Sequence, residues 1–349
     1  MKGFKAFEKG LICKGKQYAE NTVFEEESAE ICKSGMHFCE NPFDVLEYYP
    51  LIDDGGGMTE FAKVEALDEC KTDDNKKYCT KKLKIGARLS FSGFIKACVG
   101  FVIEKTIAEG AKINTESQIG SSGDYAQIGS SGNSAQIGSS GNSAQIGSSG
   151  YSAQIGSSGD FAQIGSSGYS AQIGSSGYSA QIGSSGDFAQ IGSSGDYAQI
   201  GSSGNSAQIG SSGDFAQIGS SGDFAQIGSS GYSAQIGSSG DFAQIGSSGY
   251  SAQIGSSGDF AQIGSSGNSA RIDSTGNDSV ICCAGHNSAV RAKRGSWITL
   301  AEWEYSEKKG RFVPVCVKTE FVDGEVIKED TYYTLENGEF KECAQNDNE

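Results

Sequence analysis

From Gln118 to Gly267 the apolar and polar positions repeat in a fixed frame of nine: Ala and Ile stand two apart with Gln between them. Gln-Ile-Gly-Ser-Ser-Gly returns seventeen times without a substitution, and two degenerate units continue the ladder at Ile272 and Ile281. In an extended chain Ala and Ile share one face and Gln points to the other. Ser-Ser-Gly reads as the turn, with glycine accepting the positive φ of a tight corner. Each unit is thus a short strand plus a corner. Two units, about 18 residues, close a flattened coil with Ile and Ala inward, and nineteen units give about nine or ten coils. The pattern predicts a mainly β chain with a parallel β-solenoid, a nonapeptide β-roll, over 117–290. One isoleucine per unit does not offset the ordering of nine residues, so ladder hydrogen bonds must contribute and both ends need covering. A Gly/Ser-rich linker has the same composition; the strict Ile and Ala spacing argues for the coil.

The flanks carry different patterns. Residues 1–116 read as a small α+β domain, with strands at 3–7 and 61–66 and a helix over 41–49. Asn41 caps that helix, Pro42 suits its first position and Asp44 complements its dipole. The spacing of Phe94, Ile95, Cys98, Val99, Val102, Ile103 and Ile107 predicts an amphipathic helix over about 92–109, ended by Gly110. Its place just before the first repeat makes it the expected cap of the open coil end. Past Ile281 the period slips, Asn287-Ser288-Ala289 standing one residue late. Strands at 297–303, 311–322, 326–334 and 339–341, with turns at Asp323-Gly324 and Asn337-Gly338, predict a β-meander cap over 291–343. Trp297 and Trp303 are expected to cover the last coil. Arg291, Lys293 and Arg294 are expected to form a solvated cap edge or to meet nearby carboxylates, and 344–349 reads as a disordered tail.

The units differ only in the two residues after Gly. These read Asp-Phe, Asp-Tyr, Tyr-Ser or Asn-Ser, and no unit has two aromatics. The second slot lies three before Ile and is expected on the outer face with Gln. An exposed aromatic row marks a contact surface, so Tyr151, Phe161, Tyr169, Tyr178, Phe188, Phe215, Phe224, Tyr232, Phe242, Tyr250 and Phe260 are the candidate binding residues. The expected partner is a protein or a glycan, or a second copy of the chain. Rings folded over the corners onto neighbouring rungs are the competing arrangement. Asp stacked on Asp would be unfavourable, and the Tyr-Ser and Asn-Ser units are expected to keep such runs short. Calcium-binding nonapeptides need Asp two residues before the inward aliphatic, where this chain has Ala126 or Ala135. The array's only threonine is Thr275, so a threonine-ladder ice-binding face is excluded too.

A net charge of −16 argues against nucleic acid and anionic membranes. The opening Met1-Lys2-Gly3-Phe4-Lys5 lacks the apolar run of a signal peptide, and no stretch reaches membrane-spanning length. The expectation is a cytoplasmic protein whose ten cysteines are free thiols or ligands. Cys13, Cys32, His37 and Cys39 lack paired C-x-x-C spacing, so no metal is assigned and buried thiols are the plainer reading. Gly55-Gly56-Gly57 follows Asp53-Asp54, which would repel phosphate. No catalytic residue and no cofactor are assigned, and the chain reads as a non-enzymatic structural protein. The alternative is a catalytic or metal-binding head, for example with an ADP-ribosyltransferase-like fold, tethered to passive repeats.

The run Met1-Lys2-Gly3-Phe4-Lys5, Cys13, Gln17-Tyr18, Cys32, Gly35-Met36-His37-Phe38-Cys39-Glu40-Asn41-Pro42 and Tyr48-Tyr49 resembles a domain-of-unknown-function family of phage, prophage and gut-bacterial sequences. Members continue through an Ile-Lys-Ala-type helix into nonapeptides and end in a Trp-rich β segment similar to Gly295-Ser296-Trp297-Ile298-Thr299-Leu300-Ala301-Glu302-Trp303. The resemblance implies a phage or mobile-element origin and no established activity; a virion-associated location is the alternative to the cytoplasmic one.

Overall fold

The computed structural model describes residues 1–31, 33–51, 59–108 and 118–343, without the side chains of 103–108. Cys32, the Asp53–Gly57 loop, Gly110 and the expected tail at 344–349 lie outside the described residues. Two compact units make up the chain, Met1–Gln172 with Gln181–Gly186, and Ile173–Ala180 with Asp187–Glu349.

A β-solenoid of about ten turns spans residues 118–300. Successive units alternate between two parallel sheets, one starting at Gln118–Ser121 and the other at Gln127–Ser130. Pairing runs between residues 18 apart, as Ile128 with Ile146 in the first unit and Ile209 with Ile227 in the second. Two nonapeptides therefore make one coil, and from Ile128 onward the Ala and Ile positions are buried. A third inward position is the first serine of Ser-Ser-Gly, which ends the strand rather than opening the turn. The hydroxyls of Ser148, Ser184, Ser202 and Ser229, among others, lie buried without a hydrogen-bond partner. Each such hydroxyl costs about 1–3 kcal/mol, which ladder hydrogen bonding and Ala/Ile burial have to outweigh.

The corners differ from expectation. Positive φ falls not on the glycine but on the second variable residue, as at Phe161, Phe215 and Ser233 (φ 56°, 55° and 51°). That residue's N–H donates to the first-slot carbonyl of the next coil, as Phe215 N to Tyr232 O at 2.8 Å. The glycine is required for a different reason. A Cβ on Gly186, Gly231 or Gly285 would overlap the carbonyl oxygen of the glycine 18 residues earlier.

In the first unit the N-terminal part is a seven-stranded antiparallel sheet, β rather than evenly α+β. Its order is Val23–Glu25, Lys82–Leu89, Glu60–Ala66, Lys2–Phe7, Met36–Cys39, Lys77–Thr80, Cys70–Lys71. The expected helix at 41–49 is a short 3-10 helix, Phe43–Glu47, whose first amide Phe43 N donates to Asn41 Oδ1 at 3.0 Å. The second helix, α1 (Phe91–Ala108), forms where its spacing predicts. It is not an end cap. It lies along the second solenoid sheet, touching Gln127–Ser130, Gln145–Ser148, Gln163–Ser166 and Gln181–Ser184 in turn.

Two apolar faces explain that placement. Phe94 stacks on Phe61 of the antiparallel sheet, their ring centroids 3.7 Å apart. Ile95 and Val99 face the coil, where the outward Gly147, Gly165 and Gly183 leave room for them. The 3-10 helix completes the seam through the outward glutamines. Gln163 Nε2 donates to Phe43 O, Gln181 Nε2 to Leu46 O, and Gln145 Nε2 to Asp44 Oδ1. A helix apolar on two sides sits between two layers, so the hydrophobic spacing that predicts it also excludes a simple lid.

Asp44 is buried at this seam, and burial first, then the nearby Glu47 charge, raises its carboxyl to about 6. A raised folded value means a proton held more tightly in the folded state. The stabilisation it brings is present below about pH 4, the unfolded value, and is lost as pH rises through about 6. Asn41 Nδ2 and Gln145 Nε2 both donate to Asp44 Oδ1, an arrangement asparagine preserves. Asp44→Asn is expected to raise stability by about 3 kcal/mol near pH 8 and to leave it unchanged near pH 4. Urea midpoints at the two pH values check this; equal gains at both would refute it.

In the second unit the C-terminal strands are shared between both solenoid sheets rather than forming one meander. Trp297–Ser306 and Arg311–Phe321 extend the first sheet, while Tyr332–Glu336 and Glu339–Cys343 extend the second. Residues 326–331 are not strand, because Asp323 Oδ1 accepts the amides of Glu325, Val326 and Ile327 and winds the chain into a loop. Asn337-Gly338 does make the tight turn, with both φ angles positive. The register of 18 also survives one unit longer than its motif: Val290 takes the isoleucine place opposite Ile272. The slip comes next, where Ile281 faces Ile298. Ile298, Leu300, Val322, Ile327 and Tyr333 fill this end, not the tryptophans. Trp297 is 49% exposed and leans on Phe321, and Trp303 Nε1 donates to Ala284 O. Two of the three basic residues meet carboxylates: Arg291 forks onto Asp273, and Lys293 pairs with Asp330 at 2.6 Å.

Candidate functional site

The variable pairs sit at the coil corners, not on the outer strand face beside Gln. Since alternate units belong to opposite sheets, alternate corners form two separate edges, and neighbours along an edge are 18 residues apart. The single row inferred from the sequence is therefore two rows. In the first unit Tyr151 and Tyr169 stack along one edge at 5.1 Å. In the second unit Phe224, Phe242 and Phe260 stack along one edge at 5.1 and 5.0 Å. Tyr178, Tyr197, Phe215, Tyr232 and Tyr250 follow one another along the other at 5.0–5.7 Å. Phe161 and Phe188 occupy corners of the same kind.

Either slot can hold the ring. Rings from the same slot on successive coils lie nearly parallel, within 5–11° in the second unit. A first-slot ring over a second-slot ring is tilted, 55° for Tyr178–Tyr197 and 62° for Phe215–Tyr232. This accounts for the one-aromatic rule, because a second ring in a unit would compete for the same stack. Tyr197 belongs to the ladder although the sequence did not single it out. Its Asp-Tyr pair is the signal, being equivalent to Asp-Phe.

Stacking leaves the rings half open. The eleven candidate residues are 41–57% exposed, so packing on neighbouring rungs and presentation to solvent coexist. The first-slot carboxylates and amides have a structural task beside them. Asp187, Asn205, Asp223, Asp241 and Asp259 each accept, through Oδ1, the backbone N–H of the residue 18 further on, at 2.8–3.0 Å. Asp223, Asp241 and Asp259 stand on three successive coils, so the run of like charges is longer than the sequence suggested. Each charge-assisted bond offsets part of that repulsion.

The cysteine and histidine candidates come together only in part. Cys13, His37 and Cys39 line one cavity of about 470 Å³ in the N-terminal sheet domain. Among the described residues no three His, Cys, Asp or Glu side chains are placed to hold a metal. Cys13 Sγ lies 3.2 Å from the Tyr49 hydroxyl. Burial, with Asp44 next, pushes the Cys39 thiol up to about 12, so it is neither a ready ligand nor a nucleophile near neutral pH. The nine described cysteines are thiols.

Fold and edges together define a repeat β-solenoid protein with an N-terminal antiparallel-sheet domain seated on its coils. A family model described as a domain of unknown function (DUF7666) matches residues 1–97. No curated protein and no solved structure matches the chain. No helix among the described residues is long and apolar enough to cross a membrane.

Proposed function

We propose that the chain is a non-enzymatic interaction protein of phage or mobile-element type, its solenoid a spacer presenting two aromatic, acidic edges to a protein or glycan. The supporting observation is that the rings stay about half exposed after stacking in register, while Ala, Ile and the first Ser of the repeats from Ile128 onward are spent on the coil. An ordered row of ring faces suits sugar rings or apolar side chains. The phage setting comes from the resemblance of the flanks. Self-association draws on a second feature: Arg311–Phe321 ends its sheet and carries Phe312, Val315 and Val317 exposed, an arrangement that invites strand pairing between copies.

Replacing Phe224, Phe242 and Phe260 together by serine tests the reading, since serine already occupies the left-handed second slot at Ser206 and Ser233. Affinity electrophoresis through a panel of polysaccharides and sedimentation of the free protein are the readouts. The triple variant is expected to keep its fold and to lose about tenfold in affinity or association. Identical behaviour of variant and parent in both assays would count against the edges as the working surface.

A further inference from the structure

The cavity in the N-terminal domain has a charge opposite to that of the chain. Lys5, Lys14, Lys16 and Lys77 line it against the carboxylate of Glu26, an excess of three positive charges in a protein of net charge −16. Lys16 already pairs with Glu26 at 2.6 Å. Lys5 is the unusual member. It lies on the strand Lys2–Phe7 and is only 6% exposed. Its ammonium donates to the His37 carbonyl at 2.9 Å and lies 5.6 Å from the ring centres of Phe7 and Tyr18. No carboxylate of the described residues pairs with it. An ammonium has three donors, and a buried charge normally has a counter-charge.

The other lining residues include five aromatics, Phe4, Phe38, Tyr18, Tyr48 and Tyr49, of which Phe38 and Tyr18 are buried and Tyr48 is exposed. Lys77 already lies over the face of Tyr48 at 4.4 Å from its centre. A volume near 470 Å³ falls in the range of small-molecule sites. We infer that this cavity binds a small phosphorylated molecule carrying a planar ring, its dianion on Lys5, Lys14 and Lys77 and its ring against the tyrosines. A compact dianion matches lysine point charges better than a single carboxylate does. The field is felt by a neighbour, since His37 is held below its usual value by burial first and then by Lys5, Lys77 and Lys14.

The chain has two histidines, so the His37 ring signals in a proton NMR spectrum can be assigned against His286. AMP and phenyl phosphate are the ring-bearing probes, with adenosine and inorganic phosphate as their halves, titrated into the full chain. Both ring-bearing phosphates are expected to move the His37 signals and not those of His286, at least about tenfold more tightly than either half. Lys5→Met should weaken both about tenfold or more. Should that variant not fold, the surface pair Lys14→Gln with Lys77→Gln should weaken them about fivefold. The inference is overturned if neither probe moves His37 at about 10 mM, or if the lysine variants bind like the parent. Equal affinity for inorganic phosphate would overturn the ring-bearing class.

Discussion

Gly231→Ala is expected to break the solenoid locally, whereas Gly228→Ala, three residues earlier in the same unit, should be neutral or mildly stabilising. A methyl on Gly231 would coincide with the carbonyl oxygen of Gly213 on the coil beneath, and both are backbone. The carbonyl is held in place by ladder bonds on either side, as in Ser230 N to Ser211 O at 3.0 Å, so neither coil can yield without parting from its neighbour. The cost should exceed about 3 kcal/mol. Nothing lies within 4 Å of a methyl on Gly228, and its φ is not in the left-handed region. Alanine there reduces the freedom of the unfolded chain by about 0.4–1 kcal/mol. Because coils touch mainly their neighbours, the damage should stay near the substitution. Amide exchange around residues 213–249, with thermal melts of both variants, reads this out. Similar melting temperatures for the two would show that coil spacing does not make the corner glycine obligatory.

That pair of substitutions also marks where the sequence was legible and where it was not. The inward Ile and Ala, the outward Gln and the two-unit coil all follow from a period of nine and a side-chain alternation of two. The reason for glycine did not follow. A conformational need and a packing need leave the same residue in the same place, and only the approach of the coil below separates them. Asp-Phe and Tyr-Ser looked like different surfaces until alternate units fell on opposite edges, where both feed one stack. In the N-terminal sheet several strands are too short to show a period, as Val23–Glu25 and Cys70–Lys71 are, whereas Lys82–Leu89 does alternate, with Leu83 and Ile85 buried between lysines. Lys5 was readable in principle: Phe4 and Ala6 share one face of the short strand and Phe7 lies on the other with Lys5, so both faces are apolar and the lysine has no wet side. His37 and Cys39 drew notice for metal chemistry, yet what surrounds them in space is lysine and tyrosine.

Gly147→Leu should lift α1 from the coil, and Gly156→Leu should not. Both glycines point outward from strands of the first unit, one on each sheet. A Cβ on Gly147 would meet Val99 Cα at 3.3 Å and Val102 Cβ at 3.5 Å, so the rest of a leucine has only the helix backbone to enter. At Gly156 there is open space. Displacing α1 uncovers Ile95 and Val99 on one side and disturbs the Phe61–Phe94 stack on the other. The expected loss is about 3 kcal/mol, read as roughly hundredfold faster amide exchange in α1 with the antiparallel sheet still protected. Gly156→Leu leaves that exchange unchanged, and leucine there serves the strand at least as well as glycine. The comparison separates two roles of one repeated residue: beneath α1 the outward glycines form the seat that holds the N-terminal domain, and on the opposite sheet the same glycines have no such task.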